Sequence, residues 1–150
     1  MGSHTMDVTD KILKYCAFQE RSCREVLRKL AELRIPRQDA EQLLEELKEQ
    51  NYVNDERFAE CFVRGKMNNN RWGRVKIRIE LLKRGVDDAI ISEKLKMMDM
   101  DLYAKNLQHI AARWQQENPS KGRDHLTRFL MSKGYTYDEI RQWASNQEEP

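Results

Sequence analysis

Apolar residues recur at spacings of three and four along nearly the whole chain, which is the pattern of one buried face of an α-helix. Three helices are predicted in the first third. The second begins at Ser22, because Glu25 follows three residues later and the two side chains can each bond the other's backbone N–H in a capping box. Ile35-Pro36 breaks the chain before a third helix, whose glutamates face solvent and whose inward positions are Ala40, Leu43, Leu44 and Leu47.

This arrangement recurs twice more along the chain. Aligning the segments that begin at Ser22, Gly73 and Gly122 gives copies spaced by 51 and 49 residues. Gly85 and Gly134 then fall at the same place, just past the second helix of their copies, where a left-handed residue commonly ends a helix and glycine is favoured. The alignment also makes three sets of apolar positions coincide: Leu30, Leu81 and Leu130; Ile35, Val86 and Tyr135; Ala40, Ile91 and Ile140.

The chain is therefore predicted to be all-α, with three tandem three-helix repeats that form an elongated, curved molecule. The repeats are assigned to residues 9–53, 54–99 and 100–146, and a second capping box is predicted at Thr136 and Glu139. Residues 1–8 are interpreted as a tag remnant and N-terminal extension, and residues 147–150 as a tail. A single helical bundle with a chance internal echo is the alternative.

Composition narrows the class of protein. Mean hydropathy is −0.88 and apolar runs such as Ala89-Ile90-Ile91 are short, whereas a membrane span needs about 20 apolar residues. The chain has 27 basic and 25 acidic residues, and a net charge of +2 argues against a polybasic binder. Three cysteines without a C-x-x-C pair indicate a reducing, cytoplasmic setting and buried thiols. Trp114 and Trp143 fall at apolar helical positions and are predicted to pack in the core.

The sequence carries no recognisable catalytic constellation. Gly-rich phosphate loops and the G-x-S-x-G and H-E-x-x-H motifs are absent from it. Asp87-Asp88 lies where a helix N-terminus is predicted, and the helix dipole stabilises acidic side chains there. His109 and His125 have no cysteine partners at ligand spacing, so a zinc site is not expected. We therefore expect no enzymatic activity, no catalytic residue, no metal and no cofactor.

A basic stretch between residues 64 and 84 is the most unusual charge feature. Residues 53–100 hold eleven basic and eight acidic groups. Within them, residues 64–84 contain a single acid, Glu80. Arginines beside an aromatic ring suit phosphates, carboxylates or a stacked base. The alternative is a solvated helix face, with Trp72 capping the core. The candidate partner-binding residues are Arg64, Lys66, Arg71, Trp72, Arg74, Lys76, Arg78, Lys83 and Arg84.

Spacing predicts how this basic stretch is oriented. Three arginines follow i, i+3, i+7 spacing and share one side of a helix if the first lies at or near its start: Arg71, Arg74 and Arg78. Another side is predicted to face the core, with Val75, Ile79 and Leu82. Trp72, beside Gly73, is expected to offer an exposed ring.

Three pieces of the sequence form a distinctive series: Arg21-Ser22 with Glu25-Val26-Leu27, the run Asn54-Asp55-Glu56-Arg57-Phe58-Ala59, and Gly73-x-x-x-Ile77-Arg78-x-Glu80-Leu81-x-x-x-Gly85-Val86. In this order and spacing they together resemble the RecX family of bacterial regulators of the RecA recombinase. The resemblance covers roughly residues 12–95. Beyond it, Lys133-Gly134-Tyr135 and the helix that follows also agree.

The resemblance implies a cytoplasmic, non-enzymatic protein of tandem three-helix repeats that binds the RecA–DNA filament. Such proteins contact more than one RecA protomer and suppress ATP hydrolysis and strand exchange in recombination and DNA repair. Relatives often carry a proline and arginines after the glycine, whereas this chain has Gly73-Arg74-Val75-Lys76, so the basic side chains are placed differently.

Two further expectations concern partners. The capped ends of a repeat array favour a monomer, and weak binding to single- or double-stranded DNA is compatible with a filament-binding role. The alternative function is a nucleic-acid-binding helical module that acts on DNA independently of recombinase. The modest net charge, and the lack of Asn or Gln beside arginine on the Arg74 face, argue against base readout.

Overall fold

The computed structural model describes residues 2–148, with side chains from Asp7 onward, and all regular secondary structure in that part of the chain is helical. A π-helical segment, Lys66–Asn70, directly follows the fourth helix. The α-helices are α1 (Gly2–Phe18), α2 (Cys23–Glu32), α3 (Arg37–Glu49), α4 (Asp55–Gly65), α5 (Arg74–Lys83), α6 (Asp88–Lys96), α7 (Met100–Glu117), α8 (Arg123–Ser132) and α9 (Tyr137–Glu148).

The predicted capping boxes are confirmed. The Ser22 hydroxyl accepts a bond of 3.1 Å from the Glu25 N–H, and the Ser22 N–H donates to the Glu25 carboxylate at 3.0 Å. Thr136 and Glu139 form the same pair of bonds, of 2.8 and 3.1 Å, at the start of α9. Local sequence thus defines where these two helices begin.

The turns that follow α2, α5 and α8 share one backbone conformation. Gly85 and Gly134 are left-handed as predicted, with φ of 82° and 102°. Arg34 occupies the aligned position after α2 and is left-handed too, with φ of 64°. An arginine is not the residue that propensity would choose for this conformation, because its Cβ crowds the following carbonyl oxygen.

The aligned apolar positions are buried in each copy. Leu30, Leu81 and Leu130 are fully inaccessible to solvent. Ala40, Ile91 and Ile140 are also buried, as are Val86 and Tyr135, whereas Ile35 is half-buried. The glutamates of α3 are exposed, as predicted.

The chain divides into two compact units. Within the described residues, the first unit holds the chain up to Cys61 together with Leu81–Ile91, and the second holds Phe62–Glu80 and the chain from Ser92 onward. The division falls inside the predicted second repeat, and the repeat boundaries stay a prediction. The core cluster of the first unit consists of Ile12, Val26, Leu30, Ala40, Leu44, Leu47 and Val53.

The predicted inward face of α5 is wrong. Val75, Ile79 and Leu82 are 41%, 46% and 44% exposed, whereas Ile77 and Leu81 are fully buried. Both sets have helical spacing, so periodicity alone admits either face. The buried set consists of the residues that align with Val26 and Leu30 of the first copy.

Two smaller expectations also need correction. Cys61 is exposed rather than buried, because the neighbouring Phe58, Ala59 and Val63 form the buried face of α4. Cys16 and Cys23 are half-buried. Trp114 and Trp143 are half-buried as well, and the Trp114 ring stacks on Phe129 with a centroid distance of 6.0 Å.

Candidate partner-binding site

The chain breaks its helical path immediately before α5. Arg71 directly follows the π-helical segment and is left-handed with φ of 54°, and α5 begins only at Arg74. The Tyr135 hydroxyl donates to the Arg71 carbonyl at 2.7 Å and so fixes this turn. Because Arg71 precedes the helix, the expected single helical face of Arg71, Arg74 and Arg78 does not form.

Arg74 is held in an internal network of the second unit. Its guanidinium lies 3.1 Å from the carboxylate of Glu139, whose side chain is only 16% exposed. The Tyr103 hydroxyl donates to the same carboxylate at 3.1 Å and accepts a bond of 3.0 Å from the Arg74 N–H. An arginine that neutralises a largely buried carboxylate stabilises the fold, because removing it would leave that charge uncompensated.

Other arginines of the basic stretch also have partners. Arg78 donates to the Ser92 hydroxyl at 3.2 Å within the second unit. In the first unit, Arg84 lies 3.9 Å from the carboxylate of Glu25, and its carbonyl accepts a 2.7 Å bond from Ser22. Arg64 in the second unit and Lys83 in the first are exposed. The structure therefore does not gather the nine candidate residues into one cluster.

Three of the candidates do lie together, around the indole of Trp72. The ammonium groups of Lys66 and Lys76 lie 4.8 and 4.6 Å from the Trp72 ring centroid. Phe62 contacts Trp72 edge-on at a centroid distance of 6.2 Å, and Lys66 is also 5.4 Å from the Phe62 ring. We call Phe62, Lys66, Trp72 and Lys76 the Trp72 cluster. Trp72 is half-buried within it, not exposed as expected.

The Trp72 cluster concentrates positive charge at a defined point. Each cation–π contact at an exposed site contributes about 0.5–1 kcal/mol and restrains a lysine that would otherwise sample many rotamers. Val75 and Ile79, one helical turn apart on α5, add exposed apolar area within the same unit. Lys76 follows Val75 directly in the sequence. Restrained cations combined with exposed apolar side chains are suited to binding an acidic protein surface.

The first unit contains a basic cleft that the charge arithmetic missed. Arg21 lies 3.8 Å above the Tyr15 ring, and Lys29 lies 5.6 Å from it. Residues 9–52 hold nine basic and nine acidic groups, so the sequence showed no surplus there. Folding brings four basic side chains around Tyr15, one of which, Lys29, also lies 3.8 Å from the carboxylate of Glu32. The available sequence signal was a run of lysines and aromatics at helical spacing on α1. The cleft, of about 360 Å³, is lined by Lys11, Lys14, Tyr15, Phe18, Arg21, Lys29 and Leu33.

The thiols and acidic groups show no arrangement for nucleophilic or metal chemistry in the described residues. Burial, with the carboxylate of Asp55 next, raises the pKa of the Cys23 thiol to about 11. Burial also raises the pKa of Cys16. Reactive cysteines instead have a lowered pKa, because the thiolate is the nucleophile. Among the described residues, His, Cys, Asp and Glu form no group of three or more that could hold a metal ion.

The described helices were also compared with the length and apolarity that a lipid bilayer requires. None of them is long and apolar enough to cross a membrane.

Comparison with known proteins identifies the family. Residues 54–95 match the family model described as the second three-helix domain of RecX. The regulatory protein RecX of Halorhodospira halophila is 32% identical over 150 residues, which cover 99% of this chain and 92% of that protein. The chain belongs to the RecX family.

Longer RecX proteins are similar over part of their length. RecX of Streptococcus uberis is 30% identical over 136 residues, which cover 89% of this chain and 53% of that protein. RecX of Clostridium tetani is 30% identical over 135 residues, which cover 86% of this chain and 62% of that protein. The chain thus spans between half and two thirds of the length of these curated relatives.

Solved RecX structures have the same fold. The crystal structure of RecX from Lactobacillus salivarius superposes with a TM-score of 0.84, at 24% identity, over 97% of both chains. A second RecX crystal structure gives a TM-score of 0.84 at 20% identity, over 95% of this chain and 72% of the other. The family and the all-helical class predicted from the sequence are therefore confirmed.

Proposed function

We propose that this chain binds the RecA–DNA filament and inhibits ATP hydrolysis and strand exchange by RecA during recombination and DNA repair. Membership of the RecX family, along 92% of the Halorhodospira halophila protein, carries the proposal, because these relatives are regulatory proteins. The proposed role is that of a cytoplasmic monomer that acts by binding and not by catalysis, without a cofactor.

The Trp72 cluster is our candidate for the contact with the filament. Lys66 and Lys76 would meet carboxylates of RecA and accelerate association, since complementary charge acts mainly on the on-rate and the docking register. Val75 and Ile79 would contribute apolar contact, and the burial of apolar surface is the dominant favourable contribution in most protein–protein association.

Arg74 is a poor choice for testing this surface. Replacing it by glutamate would set two carboxylates against each other at Glu139 and would damage the second unit. We therefore choose the double variant Lys66→Glu/Lys76→Glu, whose side chains contact aromatic rings. The matched control is Lys105→Glu/Lys121→Glu, which makes the same change in net charge at two exposed lysines of the same unit.

The experiment measures ATP hydrolysis by RecA on single-stranded DNA against the concentration of each variant. We expect the cluster variant to need about tenfold more protein for half-inhibition, and the control to match the parent chain. Equal inhibition by a folded cluster variant would remove the Trp72 cluster from the mechanism. Failure of the parent chain to co-sediment with RecA filaments would contradict the filament-binding function itself.

The alternative is direct action on DNA without recombinase. The Trp72 ring is contacted by Phe62 and two ammonium groups, and this does not favour it as a platform for an unstacked base. We expect DNA affinity of the chain alone to be weak and to fall steeply with salt, by about 0.7–0.9 logarithmic units per phosphate contact and tenfold salt. A titration with DNA, with and without RecA, separates the two functions.

A further inference from the structure

Two contacts within the chain join aligned elements, the start of one helix and the turn that ends another. In the second unit, the Gly73 N–H donates to the Lys133 carbonyl at 2.7 Å and the Val75 N–H donates to the Gly134 carbonyl at 2.9 Å. The start of α5 is thus bonded to the left-handed turn that ends α8. We call such a contact between the start of one helix and the left-handed turn of another a junction.

The first unit contains the aligned junction. The Ser22 hydroxyl donates to the Arg84 carbonyl at 2.7 Å, and the Arg24 guanidinium donates to the Lys83 carbonyl at 3.4 Å. In the alignment of the three copies, Ser22 corresponds to Gly73, and Arg84 corresponds to Lys133. The start of α2 is therefore bonded to the turn that ends α5 at the aligned place, here through two side chains where the second unit uses two backbone N–H groups.

Glycine is needed in the turn of each junction because the two backbones approach closely. A Cβ atom on Gly134 would lie 2.5 Å from the Cβ atom of Lys76, and one on Gly85 would lie 2.7 Å from the Cβ atom of Arg24. Gly73 faces the turn from the other side, and a Cβ atom on it would collide with the backbone of Gly134. A side chain on either turn glycine, or on Gly73, would push its own junction apart, whereas the first unit accommodates the Ser22 side chain at the place aligned with Gly73.

The third copy presents the donor half of a junction without an occupant in the described chain. Gly122 precedes α8 and aligns with Gly73, and a Cβ atom built on Gly122 meets nothing within 4 Å. The first N–H groups of an α-helix have no acceptor within the helix, so those of Gly122 and Asp124 can serve a visiting turn. Gly122 also lines an open cleft of about 490 Å³, with apolar walls that include Trp114, Leu126, Tyr137 and Ile140.

The first copy presents the complementary turn, with one difference. Arg34 has the left-handed conformation of Gly85 and Gly134, and its side chain is exposed. At this position a junction tolerates no Cβ atom. We call the start of α8 at Gly122 the Gly122 end. The turn after α2 has the backbone conformation that would fit the Gly122 end of another molecule, but the Cβ atom of Arg34 would collide there.

We propose that the Gly122 end is a vacant copy of the junction that fits the turn after α2 of a second copy of this chain, and that Arg34 prevents head-to-tail association. Such a contact would be heterologous, since it joins two different surfaces. It would leave each molecule with one free donor end and one free turn, and it would therefore grow into open chains unless the rotation closed a ring. Arg34 prevents this growth.

The test is the variant Arg34→Gly, followed by sedimentation velocity at concentrations up to about 1 mM. Glycine adopts the left-handed conformation without strain, so this variant is expected to fold at least as well as the parent chain. We expect its weight-average sedimentation coefficient to rise continuously with concentration, beyond the value of a dimer, while that of the parent chain stays constant.

Two further variants assign the effect to the junction. Arg34→Ala removes the charge and the long side chain but keeps the Cβ atom, and it is expected to stay monomeric. Arg34→Gly/Gly122→Val adds a branched apolar side chain, larger than that of the aligned Ser22 and without its hydroxyl donor, at a position with open space and an extended backbone, with φ of −89°. It is expected to abolish association without loss of folding. A monomeric Arg34→Gly variant at 1 mM would overturn the proposal. So would association of the alanine variant, or of the double variant, to the same extent.

Discussion

Tyr103 and Tyr135 carry the two most perturbed phenols of the described chain. Their rings pack at a centroid distance of 5.3 Å, the Tyr103 hydroxyl bonds Glu139, and the Tyr135 hydroxyl bonds the Arg71 carbonyl. Burial raises the pKa of both phenols well above the ordinary value of 10.0, and the nearby Glu139 carboxylate acts in the same direction. The folded protein therefore favours the neutral phenol over the phenolate.

These two pKa shifts predict a loss of stability in alkali. The unfolded chain releases both protons near pH 10, whereas the folded chain retains them, so these two tyrosines leave the free energy of unfolding unaffected below that pH. Above it, each tyrosine lowers the free energy of unfolding by about 1.4 kcal/mol per pH unit, until the folded pKa is reached. Urea denaturation between pH 8 and pH 11 should show a slope that Tyr135→Phe makes shallower by about 1.4 kcal/mol per pH unit above pH 10. Burial also raises the pKa of Cys16, Cys23 and Tyr15, and these groups contribute equally to the slopes of the parent chain and the variant.

The control for this measurement is Tyr137→Phe, because the Tyr137 side chain is exposed. We expect it to retain the parent slope. The phenylalanine at 135 also loses the bond to Arg71 and so lowers stability at every pH by about 1 kcal/mol, but this constant offset does not alter the slope. An unchanged slope in Tyr135→Phe would contradict the assignment.

At the scale of elements, local signals predicted the helices and their starts. The capping boxes at Ser22 and Thr136 and the glycines at 85 and 134 each depend on residues within a few positions, so one sequence suffices to recognise them. The buried face of α5 was predicted wrongly. Its apolar residues lie on two sides, and the choice between them depends on what α5 packs against.

The candidate site was predictable only where its contacts are local. Lys66, Trp72 and Lys76 lie within eleven residues of one another, and their clustering follows from chain proximity. The partner of Arg74 is Glu139, which is 65 residues away in the sequence. No spacing rule links the two, and so the sequence could not show that Arg74 is engaged within the fold.

The junction in the second unit makes a sharp prediction about glycine. Gly134→Ala places a Cβ atom against Lys76 on a backbone with φ of 102°, and Gly73→Ala places one against the Gly134 backbone. Left-handed strain and overpacking each cost about 1–3 kcal/mol, so we expect each variant to lower Tm by about 5–10 °C in a calorimetric scan. Gly122→Ala is the matched control, because it stands at the aligned position with open space.

The outcome depends on the comparison of these three variants. A Gly122→Ala variant that lowers Tm as much as Gly73→Ala would show that alanine is unfavourable at this helix start whatever packs against it. The junction would then not be the reason for glycine at position 73.

At the scale of the whole molecule, the basic surplus of residues 53–100 is partly neutralised by acids outside that range. Glu139 pairs with Arg74 in the second unit, and Glu25 lies beside Arg84 in the first. Counting charges by segment overstated how much positive charge the middle of the chain offers to a partner. Within residues 53–100, positive charge stays concentrated in the Trp72 cluster. Outside that range, it is concentrated in the basic cleft around Tyr15.

The two units also predict how the chain responds to truncation after residue 99. A fragment of residues 1–99 contains every described residue of the first unit, including the carbonyl of Arg84 that bonds Ser22. It lacks Lys133 and Gly134, which accept bonds from the N–H groups of Gly73 and Val75. Hydrogen exchange followed by mass spectrometry should therefore show protected amides in α2 and α3 and fast exchange at Gly73 and Val75, with the full chain measured alongside.

Because the amides of Gly73 and Val75 lie in the first turn around the start of α5, no acceptor within the helix can replace the missing carbonyls. Retained protection at Gly73 and Val75 would mean that another group accepts their bonds, and that the turn after α8 does not hold the start of α5.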